Sequence, residues 1–147
     1  MYGIFFLLHV LAATVWTGGH LVLTAVVLPR ALKEKSPAEL LRFESAYERI
    51  GIPALLIQIA TGAWLSHHML PEVGQWFSLE NPVARLIAAK FALLGATAVL
   101  AADARLRIIP RLSEENLSTL AWHIVPVTVI SVLFVVVGVS FRTGWLY

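Results

Sequence analysis

Four separate stretches of this chain are each long and apolar enough to cross the hydrocarbon of a bilayer, which takes about 20 residues of helix. They run from about 3 to 28, 52 to 68, 82 to 102 and 117 to 141. Backbone N–H and C=O groups cannot be left unpaired in lipid, so these stretches must be helices rather than open strands. Three of the four carry almost no polar residues and would present no wet face to water. The expectation is an all-α fold: a four-helix transmembrane bundle forming one integral membrane domain over residues 1–147. Composition agrees, with 59% of residues apolar and 14% charged, against about half and a quarter in soluble domains.

Punctuation refines the elements. Pro29-Arg30 closes the first span, Asn81-Pro82 opens the third, and Pro110 lies beyond the third span's basic end. Pro126 lies inside the fourth. No Lys or Arg precedes Arg30, and the first apolar run is too long for a secretion signal, so it is expected to be retained. Between spans one and two, Ser36-Pro37-Ala38-Glu39 has the form of a capping box with proline at the first helical position. Leu40, Leu41, Phe43, Tyr47 and Ile50 follow at roughly helical spacing among charged residues. That pattern predicts an amphipathic cytoplasmic helix. Trp76 and Phe77, in the loop after span two, suit an interfacial aromatic belt.

Basic residues set the expected orientation. Arg30, Lys33, Lys35, Arg42 and Arg49 lie in the first connection, and Arg105, Arg107 and Arg111 in the third. Only Arg85 and Arg142 lie on the opposite side. The positive-inside rule then places both termini outside the cytoplasm, in a multi-pass protein of a bacterial-type inner membrane. A formal charge of +2 without a basic patch gives no reason to expect a nucleic-acid partner. The chain has no cysteine, which excludes disulfides, cysteine-ligated iron–sulfur clusters, thiolate metal sites and a cysteine nucleophile.

The chemistry is expected at the histidines. His9, His20, His67, His68 and His123 all fall within or at the ends of spans, where ionisable groups are costly and usually functional. At 1.5 Å per residue His9 is about 9 Å in from Gly3, and His20 is about 16 Å further on. Eleven steps of 100° bring His20 back to nearly the same face. His67 and His68 end span two, and His123 is about two turns into span four. The histidines therefore sort into an outer level, His9 with His67 or His68, and an inner level, His20 with His123. Two imidazoles on facing helices of a bundle are one way to hold a haem. Gly18-Gly19, Thr61-Gly62 and Gly138 would make room, and Pro126 would kink span four beside His123. Each feature also has a structural reading: a cross-bundle hydrogen bond for a histidine, a helix-packing contact for a glycine. Lys90, about 12 Å into span three, would either snorkel to the surface or bind a propionate, a quinol oxygen or another anion. Arg49, Asp103 and Arg105 flank the inner interface.

His9 followed by Trp16-Thr17-Gly18-Gly19 and Leu28-Pro29-Arg30 resembles the first span of the CopD (copper resistance protein D-like) family. Arg42-Phe43, Thr61-Gly62, Ala84-Arg85-Leu86 with Lys90, and Arg107 to Arg111-Leu112 continue the likeness. The His–Trp–Gly spacing and the lysine are also similar to HemJ-type protoporphyrinogen oxidases, which bind b-type haem. That similarity implies His9 as a haem ligand and Lys90 as a functional group. CopD relatives are commonly described as copper uptake or resistance proteins. Cu(I) favours thiolate and thioether ligands, and here Met1 and Met69 are the only sulfur residues, so a continuous Cu(I) path is not expected. An outer copper site from Met1, His67, His68 and Met69 remains open.

Three functions follow as expectations. The first is a b-type cytochrome-like redox protein with one or two haems, with copper as a possible second cofactor, taking electrons from a quinol-type donor. Its cofactor-binding residues would be His20, His123, His9, His68 and Lys90. The second is copper transport or resistance using outer histidine and methionine. The third is a non-catalytic assembly partner, alone or as an oligomer.

Overall fold

The structure, a computed structural model, describes residues 1–147. It is helical throughout apart from short connections. Four long helices have the length and composition to cross a membrane: α1 (Tyr2–Glu34), α2 (Pro37–Met69), α3 (Pro82–Arg111) and α4 (Glu114–Thr143). The protein is a multi-pass membrane protein. At 1.5 Å per residue these helices are about 45–50 Å long, well beyond the roughly 30 Å of a hydrocarbon core. The surplus lies at the end holding the α1–α2 and α3–α4 turns, where the charged residues cluster. That end is the turn end here. The opposite end, with both termini and the α2–α3 loop, is the terminal end.

Pro29 does not stop its helix as expected, whereas α3 ends one residue past Pro110, in a 3₁₀ turn over Ile109–Arg111 with Leu112 extended. A widened π turn precedes each proline, Leu23–Val27 in α1 and Ala104–Ile108 in α3. The residue before each proline donates its N–H five residues back, Leu28 to Leu23 and Ile109 to Ala104. At Pro29 this relieves the clash between the proline ring and the carbonyl four residues earlier, so the helix continues. α1 therefore runs on to Glu34. It ends in a two-residue turn, with Lys35 left-handed (φ 49°) and Ser36 N–H bonded to Ala31 C=O at 2.9 Å.

That turn uses Ser36 to close α1. Its side chain does not cap α2, and the expected capping box is absent. A capping box forms instead at Ser113 and Asn116, ahead of α4. The amphipathic stretch after Pro37 is the opening section of one continuous helix that passes through Pro53. Asn81 caps α3 as expected, its side chain accepting from the N–H groups of Val83 and Ala84.

Around the bundle, α2 packs on α1, α1 on α4 and α4 on α3, whereas α2 and α3 scarcely touch. The bundle is thus open along one side. The α1–α4 seam is made of small hydroxyl residues that allow close approach. Thr24 and Thr128 share a 2.5 Å hydrogen bond, Thr128 also donates to the carbonyls of Ile124 and His20, and Thr17 donates to Ser131 C=O. All four helices contribute to a buried apolar cluster at the turn end, including Leu28, Leu40, Ile108 and Leu120. Leu56, Val99, Leu106 and Trp122 point outward, as suits helices whose solvent is lipid.

Candidate functional site

The gap between α2 and α3 holds two cavities, one above the other, with α1 and α4 behind them. The terminal-end cavity is about 260 Å³ and the turn-end cavity about 470 Å³; Trp16 and Leu55 line both. His9 and Lys90 line the first, His20 and His123 the second. His9 and His20 share a face of α1, as eleven residues at 100° require.

His9 is built in by three residues of α2. Thr61 Oγ1 spends its own hydrogen on Ile57 C=O at 2.6 Å, so at 2.9 Å from His9 Nδ1 it accepts. The hydrogen-bond network thereby assigns the ring proton to Nδ1 and leaves Nε2 bare. Gly62 supplies the space: a Cβ there would lie 3.1 Å from His9 Cε1. The amide oxygen of Gln58 is buried in the same cavity without any partner.

Lys90 faces this group from α3. Its ammonium donates to Phe134 C=O of α4 at 2.7 Å and lies 5.3 Å from the Phe134 ring centroid. It fits a notch left by Gly138, whose Cβ would come 3.3 Å from Nζ. The side chain turns into the bundle and does not snorkel. Arg142, at the rim, bonds Tyr2 Oη at 3.0 Å.

His20, only 8% exposed, repeats the arrangement of His9. Its Nδ1–H donates to Trp16 C=O at 2.9 Å, and the ring packs on Trp16 and edge-on to Tyr47. Nε2 makes no hydrogen bond. His123 differs. Its Nδ1 meets Thr119 C=O at 3.1 Å and its Nε2 meets Asp103 Oδ2 at 2.9 Å. Both partners are acceptors, so each ring nitrogen is occupied by a neighbour and neither faces the cavity bare. Asp103 in turn pairs with Arg107 at 3.0 Å. The inner pair thus shares a cavity, but only one member is free to ligate. Arg105 reaches across the mouth of this cavity to Glu48 and Glu44, tying α3 to α2 where the helices otherwise stand apart. Arg49 makes no ion pair.

His67 and His68 do not join His9. Both are exposed, and His68 stacks on Trp64 with ring centroids 5.2 Å apart and against Tyr2. Met69 lines the terminal-end cavity while Met1 is 93% exposed. No three His, Asp or Glu side chains converge as a metal-binding group. Trp76, expected in a headgroup belt, is buried instead, donating to Leu70 C=O at 2.8 Å and stacking on Phe91 above the terminal-end cavity.

Two residues without an expected role prove central. Tyr47 inserts its ring between Gly19 and Gly51 and donates to the carbonyls of Val15 and Trp16. The Gly19 notch is therefore filled by Tyr47; Gly18, beside it, has open space. Gln58 supplies the one orphaned buried polar atom, and its signal in the sequence was a lone amide in the middle of an apolar span.

Fold and site together define a four-helix membrane protein with imidazole-bearing cavities in a lateral cleft. The family model described as Copper resistance protein D matches residues 41–141, well over half the chain, and the protein belongs to the CopD family. It is thereby a copper resistance-related membrane protein. No curated protein and no solved structure matches it significantly.

Proposed function

We propose that this CopD-family protein is a b-type haem protein of the membrane, holding haem in the turn-end cavity through His20 and transferring electrons. One observation carries the reading: His20 donates Nδ1–H to a backbone carbonyl and keeps a bare Nε2 within a wide, mostly apolar cavity. Metal-ligating imidazoles have this arrangement, the second nitrogen fixing ring orientation and basicity. The cavity's volume lies within the roughly 300–1,000 Å³ that encloses drug-sized ligands and cofactors. The donor set fits a haem held by one histidine. His123 becomes a second ligand only if Nε2 leaves Asp103, and Arg107 is in place to keep that carboxylate paired. Haem bound there would supply the one-electron chemistry. The chain's own part is to orient the imidazole through Trp16, exclude water with Tyr47, Leu40 and Phe43, and close the mouth with the Arg105–Glu48 pair. His9 has the same free nitrogen, but its cavity of about 260 Å³ falls below that range, so no second haem is assigned there.

We place the protein in a bacterial-type inner membrane with the turn end in the cytoplasm, on the strength of the basic residues gathered there. The test is haem content. His20→Ala is expected to insert and fold yet lose the haem of the turn-end cavity, and His123→Ala to keep it with an altered spectrum. Full haem content in His20→Ala would refute the assignment.

A second reading has its own support. Family membership points to copper, and Met69 and His9 line one cavity at the terminal end, a thioether and an imidazole that suit Cu(I). There copper would be the cargo. Stoichiometric Cu(I) uptake by colourless protein, lost in His9→Ala and Met69→Leu, would favour it over haem.

A further inference from the structure

The terminal-end cavity has two polar poles on opposite walls. On one wall, formed by α1 and α2, stand the buried, unpartnered Gln58 Oε1 and the bare Nε2 of His9. Both are acceptors that require a donor. On the other, formed by α3 and α4, stands the Lys90 ammonium. Its one hydrogen bond goes to Phe134 C=O, which leaves two N–H donors free. Between the poles the walls are apolar and rich in rings: Phe6, Trp16, Phe91, Phe134 and Phe141. A buried acceptor without a partner costs about 1–3 kcal/mol, so native proteins seldom keep one unless something fills it. The cavity also lies where α2 and α3 stand apart, so its entrance faces the hydrocarbon of the bilayer.

We infer that this cavity binds a lipid-soluble hydroquinone. A flat ring suits the aromatic walls. One hydroxyl donates to Gln58 or His9, and the oxygen at the opposite ring position accepts from Lys90. An alkyl tail leaves between α2 and α3 into lipid. A fatty alcohol satisfies one pole only, and a quinone lacks the hydrogen that Gln58 and His9 need. The bound species is therefore the reduced form, with Lys90 and Gln58 as the residues that select it. This site is independent of haem at His20, and each assignment can fail without the other.

The experiment is a binding titration in lipid nanodiscs. The probe is a decyl-substituted benzohydroquinone kept reduced, and the readout is tryptophan fluorescence, since Trp16 lines the site. The wild type is expected to saturate at one equivalent. Gln58→Leu and Lys90→Met keep the side-chain volume and should each weaken binding about tenfold, the scale of one lost hydrogen bond in a buried site. Unchanged elution and thermal unfolding of the variants would show that the fold persists. The oxidised decyl-benzoquinone should bind more weakly than the hydroquinone. The inference is overturned if binding does not saturate, if both variants bind like wild type, or if decanol competes as well as the hydroquinone.

Discussion

At Gly19 an added Cβ would lie 2.1 Å from Tyr47 Cε2, against open space at neighbouring Gly18. Adjacent glycines in one helix therefore have different physical roles. Gly19→Ala must displace a ring that also donates to two α1 carbonyls. The expected loss is about 1–3 kcal/mol, the usual cost of overpacking. Gly18→Ala should be neutral or stabilise by up to about 1 kcal/mol through helix propensity. Denaturant unfolding in detergent checks both, and Tyr47→Leu should recover most of the loss in the Gly19→Ala background. Equal effects at the two glycines would show that the Tyr47 notch carries no energy. The same construction recurs at Gly62 beneath His9 and Gly138 beneath Lys90. His9 and Lys90 are thus each seated in a glycine notch of a neighbouring helix, whereas His20 and His123 are not. A sequence displays the glycine and the histidine but not which pairs meet, because the notch and its occupant belong to different helices.

Among the elements, the α1–α4 seam is the most polar contact, and Thr128 is its centre, bonded to Thr24, Ile124 C=O and His20 C=O. Thr128→Val keeps the shape and removes these bonds. Interhelical hydrogen bonds in membranes average about 0.6 kcal/mol and reach about 1.7, and a loss in that range is expected in an SDS unfolding titration. An unchanged midpoint would contradict the seam's role. The four spans and the start of α3 were legible in the sequence, because apolar length and an Asn-Pro pair are local signals. So was the end of α3 at Pro110. The end of α1 was not, since one widened turn lets the helix pass Pro29, whose own sequence says stop. The shared face of His9 and His20 was legible from their spacing. The pairing of His123 was not, because Asp103 reaches it from another helix. Ser36 shows the same limit on a smaller scale: its N–H closes α1, and its side chain makes no cap on α2.

For the molecule as a whole, the open side between α2 and α3 sets the character of the protein. Its best-packed cluster is at the turn end, while the membrane section encloses space lined by imidazole, amide and ammonium groups. Orientation can be measured directly because the chain has no cysteine. A single Lys35→Cys in intact cells should resist a membrane-impermeant maleimide, and Trp145→Cys should react. The reverse pattern would overturn the placement of the turn end in the cytoplasm. The central claim is that the His20 cavity holds haem. Its most direct measurement is the reduced-minus-oxidised absorption spectrum of the purified protein, taken with its iron and copper content. A reducible Soret band with iron near one per chain is the predicted result; colourless protein, free of iron after expression with ample haem, would contradict it.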